Sequence, residues 1–397
     1  MEAIVNDVSS RNDPTPFAEL PAALVEEVLA QTSLVAEELL GSFQKIRADR
    51  KIFRDELAMN DCIISESSLV YVPFPTTCAA DGSYAMERLL TTDLAAAVAV
   101  AVEGLAPPSE KRHWDLPHHS TFVAAEPHLE DTATMLRALM LGEELLLAVA
   151  APHDLVMLDG SLTLPIIYFN QALTKAPETS TLHCSRTFIN NCISYLKAYL
   201  GLLRPERSDK QYVALPKYST RREIGRNLGW PGTYDDRGIL SLVLNAGELT
   251  RPLELEHPRD KLGNITWHLN VERLPTEELR TEARTVAEEI VANLSTVRVF
   301  YYKPHPWLPA LRVEVGASVA ENAYRLSTVV HGLKHQSATP SMLEPYPIYL
   351  ADRTAKALAR ALPAFRQVTT QRISEKYQGD IGELFLAMHG YRSETGR

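Results

Sequence analysis

The sequence predicts an α/β fold, a mixed sheet flanked by helices, with an N-terminal helical extension over residues 1–60 and a main domain over 61–397 that carries a helical insertion at about 170–210. Three observations predict it. Strand-like and helix-like pieces alternate between Cys62 and Tyr168, an order that builds a sheet covered by helices. The tripeptide Asp-Gly-Ser occurs twice, at Asp81 and at Asp159, each time after an apolar stretch. From Ala18 to Leu57, apolar residues recur at helical spacing with charges between them.

Residues 1–16 are polar, and Pro14 and Pro16 interrupt any continuous helix there. The segment "LPAALVEEVLAQTSLVAEELLGSFQKIRADRKIFRDEL" places Leu24, Val28, Leu29 and Val35 at helical spacing, which predicts one long helix or two broken near Gly41. Its apolar stripe needs a partner, either its own domain or a second chain. "LVYVPF" then reads as a strand, "TDLAAAVAVAVEGL" as a helix, "TFVAAE" as a strand, "DTATMLRALMLGEELLLAVAA" as a helix and "DLVMLDG" as a strand. The insertion is mainly helical, with "RTFINNCISYLKAYLGLL" its clearest piece, and strand-like "YVALPK" follows. "DRGILSLVLNAGEL" predicts a helix closed by Gly247. "NITWHLNVE" reads as a strand, and "VRVFYYKPHPWLPALRVEV" as strands joined by a Pro-rich turn. "ASVAENAYRLSTVVHGL", "PYPIYLADRTAKALARAL" and "GDIGELFLAM" predict closing helices.

The 397 residues, 45% hydrophobic, suffice for a large core. The longest apolar stretches, "LAAAVAVAVEGLA" and "ELLLAVAAP", are too short or interrupted to span a bilayer, and the first residues lack the basic and apolar regions of a secretory leader. A soluble, cytoplasmic protein with no membrane partner is expected. Cys62, Cys78, Cys184 and Cys192 form no CxxC pair, which points to reduced thiols rather than a zinc site or a disulfide framework. A net charge of −10 excludes a broad basic face for nucleic acid, but not a narrow basic channel.

An Asp directly after an apolar strand projects from the carboxyl end of a sheet, where open α/β sheets place their sites, and the Gly behind it permits close approach. Asp81 and Asp159 fit that description. Asp-Gly is also hairpin chemistry, so a plain turn is the competing reading for each. A third acid comes from Glu143 and Glu144, on a helix that returns through a Pro-marked turn into the strand ending at Asp159. An antiparallel helix there brings one glutamate toward that strand end, whereas helical glutamates are otherwise solvated. Asp, Glu and Asp without a matching His or Cys form a hard oxygen set, suited to magnesium or manganese. Two such ions can activate water and stabilise the leaving oxygen of a phosphodiester.

At these residues the chain resembles the NurA nuclease family, whose members carry an early "DGS", a helical glutamate and a second "DGSL" strand end. The resemblance continues in "YVALPKYSTRREIG", "YDDRGILSLVLNAGELTRPL", "LRVEV" and "PYPIYLADRTAKAL", and covers the chain from about Ser67 to Leu358. It implies a ribonuclease H-like, PIWI-related core. It further implies manganese-dependent 5′ to 3′ exonuclease and single-strand endonuclease activity, and a homodimer working with a HerA-type hexameric ATPase in DNA end processing. Carried over by motif, metal binding falls to Asp81, to Glu143 or Glu144 with Glu143 first, and to Asp159. Lys217, Asp236 and Tyr346 come near the scissile phosphate. Many members have Ala-His in the closing helix where this chain has Ala351-Asp352-Arg353. Asp352 either completes a metal shell or pairs with Arg353 or Lys356.

Lys217 at a strand end can offset charge on a phosphate, or be an ordinary exposed lysine. Asp236 can also cap the helix starting near Arg237. His118, His119 and His305 have no spaced partner and read as loop or turn residues. Arg221, Arg222 and Arg226 with "RNLGWPG" suggest a DNA-following loop with Trp230 as a stacking face, or a solvated loop. No GxxxxGK[ST] occurs, so ATP-driven movement falls to a partner. The leading expectation is a DNA nuclease using manganese or magnesium. A non-catalytic nucleic-acid-binding or scaffold protein of the same fold, and a metal-dependent phosphatase, are the alternatives.

Overall fold

The computed structural model describes residues 20–217 and 220–396, with the backbone alone at 358, 359 and 392–396, so the tail expected over residues 1–16 lies outside the described residues. The chain divides into two units after Asp55. The first is helical, formed by α1 (Ala22–Ala30) and most of α2 (Thr32–Met59). The break falls at Gln31 rather than at Gly41, which lies inside α2, and the Thr32 hydroxyl donates back to the Leu29 carbonyl at 2.6 Å. Leu24, Val28, Leu29 and Val35 are all exposed.

The second unit runs through β1 (Ile63–Ser65), β2 (Thr77–Arg88), β3 (Asp93–Glu103), β4 (His118–Glu126), α3 (Thr132–Ala150) and β5 (Leu155–Asp159). The helical insertion follows as α4 (Leu164–Lys175) and α5 (His183–Leu203), before β6 (Gln211–Leu215), α6 (Glu223–Asn227) and α7 (Asp236–Val243). Next come β7 (Glu248–Thr250), β8 (Leu253–Glu254), α8 (Glu277–Leu294), β9 (Arg298–Lys303) and β10 (Leu311–Val315). The chain closes with α9 (Ala317–Ala320), α10 (Ala323–Gln336), α11 (Tyr346–Ser374), α12 (Ile381–Ala387) and β11 (Arg392–Gly396).

One mixed sheet has the order β1-β7-β9-β10-β6-β5-β2-β3-β4, with β8 on β9 and β11 on β2. The β2–β5 and β5–β6 pairs are parallel and the others antiparallel. On one face, Ala79, Val98, Val100, Met157, Val213 and Val313 bury against α10 and α11, with Val330, Ile348 and Ala351 among the helical partners. α3 packs on the opposite face of β2 and β3 and is covered by α5.

Three expected elements differ. "LVYVPF" is irregular, because Pro73 and Pro75 remove the donors a ladder needs, and the strand forms earlier at β1. The Ala/Val run is β3, not a helix, and all eleven of its residues are buried. Val98, Val100 and Val102 face one layer while alanines face the other, a period of two that two apolar residue types conceal. "NITWHLNVE" forms only an Arg259–Ile265 bridge and a short 3-10 turn at Val271–Arg273. There Asp260 accepts from the Asn264 amide at 2.8 Å, a local side-chain bond that competes with a ladder, and Asn270 reaches across to donate to Thr174 of α4 at 2.7 Å.

Candidate active site

Asp81 does not end a strand. β2 runs on to Arg88 and pairs with β3 from Cys78 to its end. Its other edge is shared, since β5 flanks it only as far as Ala80 opposite Leu158, and β11 takes over at Tyr84 opposite Gly396. Asp81, Gly82 and Ser83 fall in the interval between them. Asp159 is the last residue of β5 and lies one register step beyond Leu158, level with Asp81. The two Asp-Gly steps are therefore not hairpin turns: one is mid-strand beside a gap, and the other is the strand end that opens it.

Side chains alternate along a strand, so Asp81 shares a face with Ala79, and Asp159 with Met157. That face carries α11, whose Ile348, Ala351 and Ala355 bury in the same core and aim Asp352 at the gap. One carboxylate oxygen from each of Asp81, Asp159 and Asp352 lies within 4.8 Å of the others. Asp81 is 1% and Asp159 5% exposed. Asp352 also pairs with Lys356 at 2.7 Å, so it both joins the cluster and makes the ion pair expected one turn away, while Arg353 turns to the Tyr349 hydroxyl.

Gly82 faces the other side, under α3. A Cβ there would sit 2.6 Å from Met140 Cγ and 3.4 Å from Glu144 Oε2, so only glycine lets the helix approach this closely. That contact separates the two glutamates. Glu144 is 2% exposed and lies against Gly82, next in sequence to Asp81. Glu143, the expected ligand, instead accepts from Ser120 Oγ at 2.7 Å and from the Tyr195 hydroxyl at 2.5 Å, on the β4 and α5 side. Adjacent helical residues point about 100° apart, and packing turned Glu143 outward from β2.

Lys217 follows β6, as its position after "YVALP" predicts. Its Nζ lies 2.8 Å from Asp159 Oδ2, 2.8 Å from Glu344 Oε2 and 3.9 Å from Asp352 Oδ1. Burial by itself lowers its pKa, but Asp159 and Glu344 outweigh burial and raise it above the usual lysine value. Glu344 was not anticipated; its signal was an acid directly before the "PYP" that opens α11. Burial raises its pKa, with Asp159 and Asp352 adding to the effect against Lys217. A cleft of about 330 Å³ is bordered by Pro216, Lys217, Arg237, Arg312, Glu344 and Ile348.

Other expected site residues are placed elsewhere. Asp236 is fully buried, and its two oxygens accept from the Ile224 and Gly225 amides at 2.7 and 2.8 Å. It therefore clamps α6, and the cap of α7 is Asp235, which accepts from the Gly238 amide at 2.7 Å. Tyr346 is the first residue of α11 and is not among the residues that border the cleft. Trp230 is 5% exposed and donates its indole N–H to Glu56 at 2.7 Å, which leaves no stacking face. Arg222 closes its own loop on the Tyr234 and Pro231 carbonyls, and Arg226 pairs with Glu256. His118 and His119 begin β4 rather than a loop, with His118 stacked 4.2 Å from Trp114, and His305 stacks on Trp307.

Asp81, Asp159 and Asp352 contribute three carboxylates to one small volume, with Glu344 close by and Lys217 as the cation shared among them. Anionic oxygens held this close, two of them buried, fit a hard divalent cation, which would relieve the excess of like charge. Among the described residues no other group of three acidic, histidine or cysteine ligands converges in this way.

A family model for the NurA domain matches residues 75–357. The crystal structure of the NurA nuclease from Sulfolobus solfataricus aligns over 90% of this chain and 99% of its own, at 13% identity and a TM-score of 0.55. A second crystal structure of NurA aligns over the same shares, at 13% identity and a TM-score of 0.51. A NurA crystallised with dAMP and manganese aligns over 83% of this chain and 93% of its own, at 14% identity and a TM-score of 0.46. No curated protein sequence matches the chain. The family match spans well over half of the chain and contains every member of the carboxylate trio, and the chain belongs to the NurA family.

Proposed function

We propose that this protein is a divalent-metal-dependent DNA nuclease. The convergence of Asp81, Asp159 and Asp352 is the observation that carries the reading. These three side chains would hold manganese or magnesium, as the pair of ions expected from the sequence, with Glu144 adding negative potential from the α3 side. When bound, such ions supply Lewis acidity for the attacking water and stabilise the leaving oxygen. Lys217, held between Asp159 and Glu344, presents a fixed positive charge to the phosphate. Arg237 borders the same cleft, and its guanidinium holds the carbonyls of Ala310 and Lys217, which fixes the direction of the lysine segment.

The finer reading is a 5′ to 3′ exonuclease with single-strand endonuclease activity that processes DNA ends in the cytoplasm. A homodimer and a HerA-type hexameric ATPase complete it. Three features support this: the motif order, the missing P-loop, and the exposed apolar residues of α1 and α2, which suit a second chain. Among the described residues no helix is long and apolar enough to cross a membrane.

End-labelled single- and double-stranded DNA with manganese tests the reading. Cleavage should depend on metal and be lost in Asp81→Ala and Asp159→Ala. Cleavage indifferent to both would remove the site assignment. DNA binding without cleavage by the wild type would favour a scaffold, and hydrolysis of free nucleotides with DNA left intact would favour a phosphatase.

A further inference from the structure

The backbone leaves the sheet directly after Asp159. Its ladder partner there is Leu215, and the next residue, Gly160, has φ 116°, a conformation that strains any side chain. Pairing with Leu215 and the Lys217 ammonium, 2.8 Å from Oδ2, hold Asp159 from the β6 side. Where the chain turns away at Gly160, the backbone that carries Asp159 needs a second anchor on the following residues.

That anchor is a buried carboxylate two strands away. Glu314 of β10 is 2% exposed and lies level with Ala214 of β6, which in turn lies level with Leu158. Its Oε2 accepts from Ser161 Oγ at 2.6 Å and from the Leu162 amide at 2.9 Å. Its Oε1 accepts from Arg312 Nε at 3.2 Å. Arg312 is 1% exposed and forks onto both oxygens of Glu223 at 2.7 and 2.8 Å, with the Tyr301 hydroxyl 2.7 Å from the same guanidinium. From the other side, the Tyr199 hydroxyl donates to the Leu162 carbonyl at 2.5 Å. Burying an Arg with two carboxylates is weak evidence for stability, because desolvation offsets much of the attraction. Such a network is better explained by the geometry it imposes, and here it ends on the two residues that follow the hinge.

We propose that Glu314, held by Arg312, is a positioning residue that fixes the Gly160–Leu162 turn and thereby sets the orientation of Asp159 for the metal. The inference rests on the metal-site reading above. Removing a partner that orients a ligand weakens metal binding by about 10–100-fold.

The test is calorimetric titration of manganese into the full chain, with Asp81→Ala as the non-binding control, alongside metal-free thermal melts. Glu314→Gln keeps the shape and weakens the acceptor; because it acts through the turn and not on Asp159 itself, it should raise the manganese Kd by about 10-fold, the low end of that range. Ser161→Ala removes one donor to Glu314, and with it the acceptor of the Thr163 amide at 3.1 Å, while leaving the Arg312 pair intact; it should raise Kd several-fold with only a modest fall in melting temperature. Excess manganese should restore cleavage in both. A change in melting temperature with Kd unaltered in both variants would show a merely structural role and overturn the proposal, leaving the metal reading in place. If the wild type takes up no manganese, the metal reading fails and this inference falls with it. Should Glu314→Gln not fold, Ser161→Ala decides the matter alone.

Discussion

Replacing Asp236 with Ala separates a clamp from a catalytic group, and the expected outcome depends on pH. The substitution strips acceptors from the Ile224 and Gly225 amides, bonded at 2.7 and 2.8 Å, in a fully buried place. Two buried donors left without partners cost roughly 1–3 kcal/mol each. Against that, burial raises the Asp236 pKa from 3.8 to about 6, with Glu223 adding to the effect. A shift of that size means the charged form is held at a cost of about 3 kcal/mol at neutral pH. The terms nearly offset at pH 7.5, so the variant should lose only about 1 kcal/mol there.

The sign is that of a carboxyl whose folded pKa is raised. The folded state binds the proton more readily, so this group's contribution favours folding below the unfolded pKa and is lost as pH rises from about 4 through about 6. At pH 5 the wild type recovers about 1 kcal/mol that the variant lacks, and the gap between them should widen to about 2 kcal/mol. Urea titrations at pH 5 and pH 7.5 measure both differences. Manganese Kd and cleavage in folded Asp236→Ala should stay within a few-fold of wild type. A variant as stable as wild type at both pH values but unable to bind manganese would refute the reasoning, because Asp236 would then face the reaction.

Lys217→Met should destabilise the metal-free protein by roughly 3 kcal/mol, since Asp159 and Glu344 lose their shared cation. Manganese should then raise its melting temperature more than it raises that of the wild type, and equal shifts would argue that the lysine and the metal do not share these carboxylates. Glu144→Gln should weaken manganese binding while Glu143→Gln, held by Ser120 and Tyr195, leaves it nearly unchanged; the opposite order in a side-by-side titration would restore the sequence-based preference. Trp230→Phe should cost about 1 kcal/mol through the lost bond to Glu56 and leave single-strand DNA affinity alone. A large loss of affinity in a fluorescence anisotropy titration would mean that the indole reaches DNA after all.

Much of the site was legible because its chemistry lies in local strings. "DGS" with "DGSL", the lysine after "YVALP" and the acid in "YPIYLADR" each state a residue type and a neighbouring backbone state. Glu344 was hidden because a single acid before a proline has no period or partner along the chain. Glu143 over Glu144 was a choice that one dimension could not make. It turns on 100° of rotation about α3, and the close approach of Gly82 and Met140 sets that rotation, with Glu144 toward Gly82 and Glu143 toward Ser120 and Tyr195.

By itself the sequence determined the element types wherever apolar period and turn residues agreed: the N-terminal helices, the insertion, the β9–β10 pair and the closing helices. It also determined which carboxylates were available. Only the tertiary structure decided that the Ala/Val run is a strand, because burial on both faces erases the polar half of the pattern. Only the structure could make Asp81 a mid-strand residue beside the gap between β5 and β11, and bring Asp352 to it from 193 residues beyond Asp159. Strand register and helix rotation are set by contacts between segments distant in sequence, and those contacts are what turned scattered acids into one site.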